Sequence, residues 1–366
     1  MTAGGFAAQG AAVRSLAERW LRELDEASGE DSPGRDFVCS PAGLWLALGA
    51  VAAGARGATA DELRELLGVA GDGAAEAVTE GARALAATDA LAVAGRVWTR
   101  VPVYDAYRKA LPDIGFGPMP TDGAEIDAWV REATGGLIER LSIRIDASIM
   151  LALVNALALK ACWETPFDAG RTRDLSFTDA SGAQHEVATM QRRLPTHDAW
   201  RVREVSVVEL RTEGAGARVR FVLGPEGARA ADVLPAAWAG RGAGIAADAV
   251  SVALPRFSLR TKLDVLEQLP ALGVLLATSD DADFSAMSPV GLKIGRVAQE
   301  AVVKIAEKGI EAAAVTVVAM VRSAAMPPPE RVEHIAFDRP FGIVVLDGSG
   351  EVPLFAGWQA SAPAAG

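Results

Sequence analysis

Cysteine, histidine and asparagine are nearly missing from these 366 residues: there are two cysteines (Cys39 and Cys162), three histidines (His185, His197 and His334) and a single asparagine, Asn155. Two cysteines exclude a disulfide scaffold, and because each lies in an apolar segment both are expected to be buried free thiols. The histidines form no ligand set: His185 opens "HEVAT", which lacks the second histidine that a zinc-binding helix presents four residues on. Basic charge is also short, 36 Lys and Arg against 47 Asp and Glu, for a net charge of −11. With no basic patch to track a polyanion, nucleic acid is excluded as a partner. There is no G-x-S-x-G elbow and no phosphate-binding loop, and "GRGAG" (240–244) does not open a helix after a strand. No enzyme, cofactor or metal site is therefore expected. The first 20 residues lack a basic start followed by an apolar core, so the expectation is a cytoplasmic chain, with export by another route left open.

What is present is apolar: half the residues are hydrophobic and 23% charged, enough to bury a large core. "AVRSLAERWLRELDE" (12–26) sets Val13, Leu16, Trp20, Leu21 and Leu24 at helical spacing. "DFVCSP" reads as a short buried strand, and Pro41 starts a second helix, apolar on nearly every face. Thr59 is expected to cap a short third helix that stops at Gly68. The runs 90–99 and 147–163 fit central strands covered on both faces, with helix left open by their alanine content. Between them 125–134 is an amphipathic helix, and Asp347 to Gly350 turn a C-terminal hairpin. The tryptophans Trp98, Trp129 and Trp163 are expected in core packing. With no repeat and no linker, residues 1–366 read as one α+β domain.

One segment resists this scheme. "EKGIEAAAVTVVAMVRSAAMPPPE" (307–330) holds ten uncharged residues between Glu311 and Arg322, against the ~20 that span a bilayer, so no membrane partner is expected. Val315, Thr316, Val317 and Val318 suit a helix poorly. Read as a strand, Ile310, Ala312, Ala314, Thr316, Val318 and Met320 share one face free of charge, and Glu311, Ala313, Val315, Val317 and Ala319 the other. An exposed apolar strand is an aggregation hazard, so the ribbon reads as a segment with two states.

The hinge sequence "EKGIEAAAVT" resembles the E-x-G-[TS]-E-A-A-A-x-T pattern of serpins, the serine-protease-inhibitor fold. "FVCSPAGLWLALGAVAAGARGATADELRELLG", "IDAWVREATGGLI", "LVNALALKACWETPFD", "VALPRFSL" and "FDRPFGIVVLDGSGEVPLFAGW" resemble further serpin segments in the right order. The resemblance implies a large central mixed sheet, two smaller sheets, about eight or nine helices and an exposed reactive-centre loop. It also implies a monomer that inhibits a serine protease as a suicide substrate, the cleaved loop entering the main sheet. The alternative is a non-inhibitory serpin acting as a binding or chaperone-like module.

Residue by residue, Glu307, Gly309, Ile310, Glu311, Ala312, Ala313, Ala314 and Thr316 match the hinge, with Gly309 allowing the backbone change. Glu307 is expected to pair with Arg256, two solvated charges being the alternative. Ser40, Asn155 and Gln299 align with the polar cluster under the sheet centre, where an Asn155–Gln299 contact, direct or through neighbours, is expected because a buried amide is costly unpaired. Trp163 matches the tryptophan where the loop first enters. Three positions depart from the pattern: Ile310 stands for Thr or Ser, Gly43 for Ser, and Gly342 for a bulky residue. The scissile bond is expected at Arg322–Ser323, inviting a trypsin-like protease, or at Ser323–Ala324, inviting an elastase- or subtilisin-like one.

Overall fold

Burial of one apolar stripe sets the first helix, α1 (Gly10–Glu26), which covers Val13, Leu16, Trp20 and Leu21 completely. The computed structural model describes residues 6–26, 34–88, 91–140, 149–159, 162–214, 217–309 and 331–363. After α1 come β1 (Phe37–Cys39) and α2 (Pro41–Ala52), which lacks a polar face and is buried along nearly its whole length. Pro41 takes the first helical position, where its missing N–H costs nothing, and Ser40 caps the helix by accepting the Gly43 N–H at 3.0 Å. α3 (Gly57–Leu67) stops at Gly68, whose φ of +76° is left-handed. Its start corrects the expected cap: Arg56 is the N-cap, and Thr59 sits inside the helix, its hydroxyl accepting the Asp283 N–H at 2.9 Å. A tertiary bond, not capping, holds that threonine.

α4 (Asp72–Ala86), β2 (Leu91–Thr99), α5 (Asp105–Ala110), β3 (Gly115–Pro118), α6 (Gly123–Ala133) and β4 (Leu151–Leu159) follow, so both alanine-rich runs left open in the sequence are strands. Strands β5 (Arg173–Thr178), β6 (Gln184–Leu194), β7 (Ala199–Val202), β8 (Val205–Arg211) and β9 (Arg218–Leu223) lead to α7 (Ala230–Val233). The chain ends through β10 (Ala243–Gly244), β11 (Ala249–Pro255), β12 (Phe257–Asp264), β13 (Arg296–Ile305), β14 (Val332–Ala336), β15 (Phe341–Leu346) and β16 (Pro353–Gln359). Among the described residues there are seven α-helices, against the expected eight or nine, and six short 3-10 helices. None of these helices is long and apolar enough to cross a membrane.

The strands form three sheets: a mixed one of five strands ordered β12-β13-β4-β2-β3, an antiparallel one of seven, and a four-stranded one ordered β14-β11-β6-β5. In the mixed sheet β4 and β13 are parallel neighbours, with Asn155 opposite Gln299 and Ala156 opposite Glu300. α2 backs this sheet and the antiparallel one, and one large core joins them. A second core, with Trp98, Ile126 and Val130, fills the space between α6 and the opposite face of the mixed sheet. Gly342 is explained by that packing. A Cβ there would lie 2.4 Å from Leu234 Cδ2 and 2.7 Å from Val222 Cγ2, so these two side chains occupy the volume of the bulkier residue.

Candidate functional site at the head of the mixed sheet

Beyond Ile305 the chain reverses in a two-residue turn. Ala306 N–H donates to Gly309 O at 2.9 Å, and Gly309 N–H to Ala306 O at 3.1 Å. Gly309 has φ +119°, a conformation that only glycine adopts without strain. It also forms an antiparallel bridge with Cys162, three residues past the end of β4. One loop residue thus already sits between the two chains that leave β4 and β13.

Trp163 braces the turn from below. Its indole Nε1 donates to Ala306 O at 2.9 Å and its backbone N–H to Lys308 O at 3.0 Å, while the fully buried ring meets Phe221 edge-on. Phe167 N–H takes the Glu307 carbonyl at 2.8 Å. The buried Glu307 carboxylate accepts from Arg256 Nε at 2.8 Å, from Arg256 Nη2, and from the Thr172 hydroxyl. Burial alone would push this carboxyl up, but the Arg256 and Thr172 hydrogen bonds outweigh it and hold it below the ordinary glutamate value.

At the sheet centre Ser40 ties three elements together: its hydroxyl donates to Leu354 O of β16 at 2.6 Å while capping α2. Gln299 Oε1 accepts the Ser40 N–H at 2.7 Å, and Gln299 Nε2 donates to Ser40 O at 2.9 Å. The Gln299 amide therefore meets Ser40, and its relation to Asn155 is the backbone register of β13 and β4. Asn155 Oδ1 is buried with no hydrogen-bond partner. It points at Gly43, where a Cβ would lie only 2.3 Å away, so the asparagine fills the space a serine would need.

The structure therefore brings Glu307 to Arg256, Trp163 to the hinge turn and Gln299 to Ser40. Ile310, Glu311, Ala312, Ala313, Ala314, Thr316, Arg322, Ser323 and Ala324 lie outside the described residues. Two features escaped the sequence. Thr172, the second side-chain partner of Glu307, carries no local signal, whereas Glu300, the one acidic residue of β13, does. The Glu300 side chain is fully buried against Arg260 and Lys262. Burial pushes its carboxyl up, and Asp127 adds to this; the two cations only partly offset it. The cysteine expectation holds for Cys39, whose thiol is pushed well up by burial, but not for Cys162. Cys162 is exposed because it lies beyond the covered part of β4. Among the described residues no group of His, Cys, Asp or Glu could hold a metal ion.

Gly309 thus bridges Cys162 and Ala306, which lie just past the C-terminal ends of the parallel strands β4 and β13 of a five-stranded mixed sheet. The family model described as Serpin (serine protease inhibitor) matches residues 11–361, and the chain belongs to that family. It is 29% identical over 354 residues to Iripin-3 of Ixodes ricinus, covering 89% of each chain. In fold it is similar to the native state of the thermophilic serpin tengpin, at a TM-score of 0.82 and 20% identity, covering 99% of this chain and 95% of that one. Human thyroxine-binding globulin has the same fold, at a TM-score of 0.76 and 22% identity, covering 96% of this chain and 99% of that one.

Proposed function

We propose that this serpin is an inhibitor of serine endopeptidases, consumed as a suicide substrate, and not an enzyme. The protease cuts the segment 307–330 and is held as an acyl-enzyme; the freed strand then enters the mixed sheet between β4 and β13. The observation that carries this reading is the pairing of Gly309 with Ala306 on one side and Cys162 on the other.

Continued downward, one residue per step, that pairing sets Ile310 opposite Ile305, Ala312 opposite Val303, Ala314 opposite Ala301, Thr316 opposite Gln299 and Val318 opposite Val297. All five of these β13 residues are buried in the core-facing set. The charge-free face of the ribbon therefore matches the face of the sheet that is dry. Glu311 falls opposite Lys304, which is exposed. Insertion replaces one parallel ladder by two antiparallel ones and buries apolar surface worth about 25 cal/mol per Å². Those gains supply the drive that displaces the protease.

Arg322 suits a trypsin-like target cut at Arg322–Ser323, and Ser323–Ala324 an elastase- or subtilisin-like one. Incubation with such a panel tests the reading. A covalent complex stable in denaturant is expected, with a released C-terminal peptide beginning at Ser323 or Ala324. Cleavage of the loop with no complex for any protease would instead favour a non-inhibitory binding or chaperone-like serpin.

A further inference from the structure

We infer that the cavity at the free margin of β2 binds a small amphipathic monocarboxylate, its carboxylate on the Arg96 guanidinium and its apolar body between α2 and α4. The inference concerns the intact native protein and does not rest on the inhibitory reading above. β3 pairs with β2 only over Arg96 to Thr99, so the margin of β2 is open at Gly95, which is exposed. A cavity of about 470 Å³ lies there, reaching from Trp129 of α6 to Leu46 of α2 and Leu85 of α4. That volume is within the ~300–1,000 Å³ of small-molecule sites. Its walls are apolar and small: Ala47, Ala50 and Ala82 leave space that larger side chains would close.

Two polar side chains line this space without adequate partners. Arg96 lies over the Trp98 ring, its guanidinium carbon 4.2 Å from the centroid, and 5.9 Å from that of Trp129. The stack holds the guanidinium in place without neutralising it. Its hydrogen bond runs from Nη2 to Phe116 O at 3.3 Å, Nε is buried without a partner, and among the described residues no carboxylate pairs with it. That is unexpected in a chain with 47 acidic residues against 36 basic ones. Asp113 stands in the same wall, but its carboxylate is taken by Arg83 at 2.8 Å. Asn155, opposite Gly95 in the β2–β4 pair, is 5% exposed. Its Oδ1 has no hydrogen-bond partner, and its Nδ2 lies 3.7 Å from where a Gly95 Cβ would be. Neighbouring residues of a strand point to opposite faces, so Arg96 and Asn155 present donors from the two sides of the open margin. Donors beside one uncompensated positive charge suit a ligand with acceptors and a single negative charge, held by charge-assisted hydrogen bonds. The apolar walls add about 25 cal/mol for each Å² of hydrocarbon they cover, which a bare inorganic anion cannot use.

The test is isothermal titration calorimetry on the intact full-length protein with decanoate, decanol and inorganic phosphate, each kept below the concentration at which it aggregates. Decanoate should bind saturably at one site, decanol more weakly and phosphate not at all. Arg96→Met keeps an unbranched side chain over Trp98 without the charge. It should weaken decanoate about tenfold or more and leave decanol unchanged. Ala82→Leu, which fills the cavity, should weaken the acid and the alcohol alike. Absence of saturable decanoate binding, or equal binding of decanoate and decanol to wild type, overturns the proposal. So does equal decanoate affinity in wild type and in either variant, which would place the ligand elsewhere. The comparison of acid with alcohol is read on wild type alone, so the proposal is decided even if a variant fails to fold.

Discussion

Arg256 and Glu307 join the four-stranded sheet's margin to the turn that follows β13: Arg256 Nε lies 2.8 Å from Glu307 Oε1, and the Thr172 hydroxyl shares that oxygen. The carboxylate is buried, whereas the Arg256 side chain is 35% exposed, so solvent screens part of the attraction. Replacement Glu307→Gln keeps the shape and removes the charge. It should cost about 1–2 kcal/mol of native stability, measured by equilibrium unfolding at neutral pH. It should also make the hinge turn easier to open.

The same residue gives a pH dependence. Because its pKa is lowered in the fold, its stabilising contribution is complete above the ordinary glutamate value of about 4.3 and disappears as pH falls through the lower folded value. Glu300 works the other way. Its raised folded pKa means that ionisation is disfavoured in the native sheet, so its contribution is lost as pH rises through that folded value. Glu307→Gln should therefore flatten the acid side of the stability curve, and Glu300→Gln should flatten the limb above the ordinary glutamate value. Unfolding midpoints measured on both sides of the ordinary glutamate value separate the two effects.

Gly309 carries φ +119°, outside the range that side chains tolerate. Gly309→Ala should destabilise the native protein by about 1–2 kcal/mol and weaken the bridges to Ala306 and Cys162. With a target protease present, the fraction of inhibitor cleaved without trapping should rise, because the strand loses its first pairing. An unchanged partition between complex and cleaved inhibitor would mean that this bridge does not start insertion.

Gly43 faces the unpartnered Asn155 Oδ1 and sits 2.8 Å, as an imagined Cβ, from Leu157 Cδ1. Gly43→Ala should destabilise, the displacement of two packed side chains outweighing the ~1 kcal/mol gained in helix propensity. Gly43→Ser carries the same Cβ, and one atom more, into that occupied space and should destabilise as well. Unfolding midpoints are the check, with glycine above both variants.

Ser40 is the hub of the sheet centre, its hydroxyl accepting at the α2 N-terminus and donating to Leu354 O, and its backbone N–H and carbonyl bonded to the Gln299 side-chain amide. Ser40→Ala removes the cap and leaves a buried carbonyl without its donor, so a loss of about 2–3 kcal/mol is expected in chemical unfolding.

Local signals in the sequence translated well where one residue controls one turn. Ser40 and Pro41 start α2, Gly68 ends α3, and Asp347 to Gly350 turn the last hairpin. The two alanine-rich strands were ambiguous because small residues suit helix and strand alike, and only pairing of β2 with β4 decides them. Thr59 misled because its hydroxyl serves Asp283, more than two hundred residues away. The candidate site divides the same way. The hinge pattern and its cation partner could be read from the motif, but the Gln299 amide turns to Ser40, and Thr172 reaches Glu307, through folds of the chain that no spacing encodes. Cys162 is exposed for a comparable reason, since its apolar neighbours in sequence end as a strand just before it.

Insertion of the cleaved loop between β4 and β13 is the central claim, and a single comparison reaches it most directly. Thermal unfolding is recorded for the intact protein and for the same protein cut once between Val318 and Glu330, with both fragments retained. A large upward shift in Tm on cleavage is the predicted result, since the freed strand completes the sheet. An unchanged or lower Tm would contradict it.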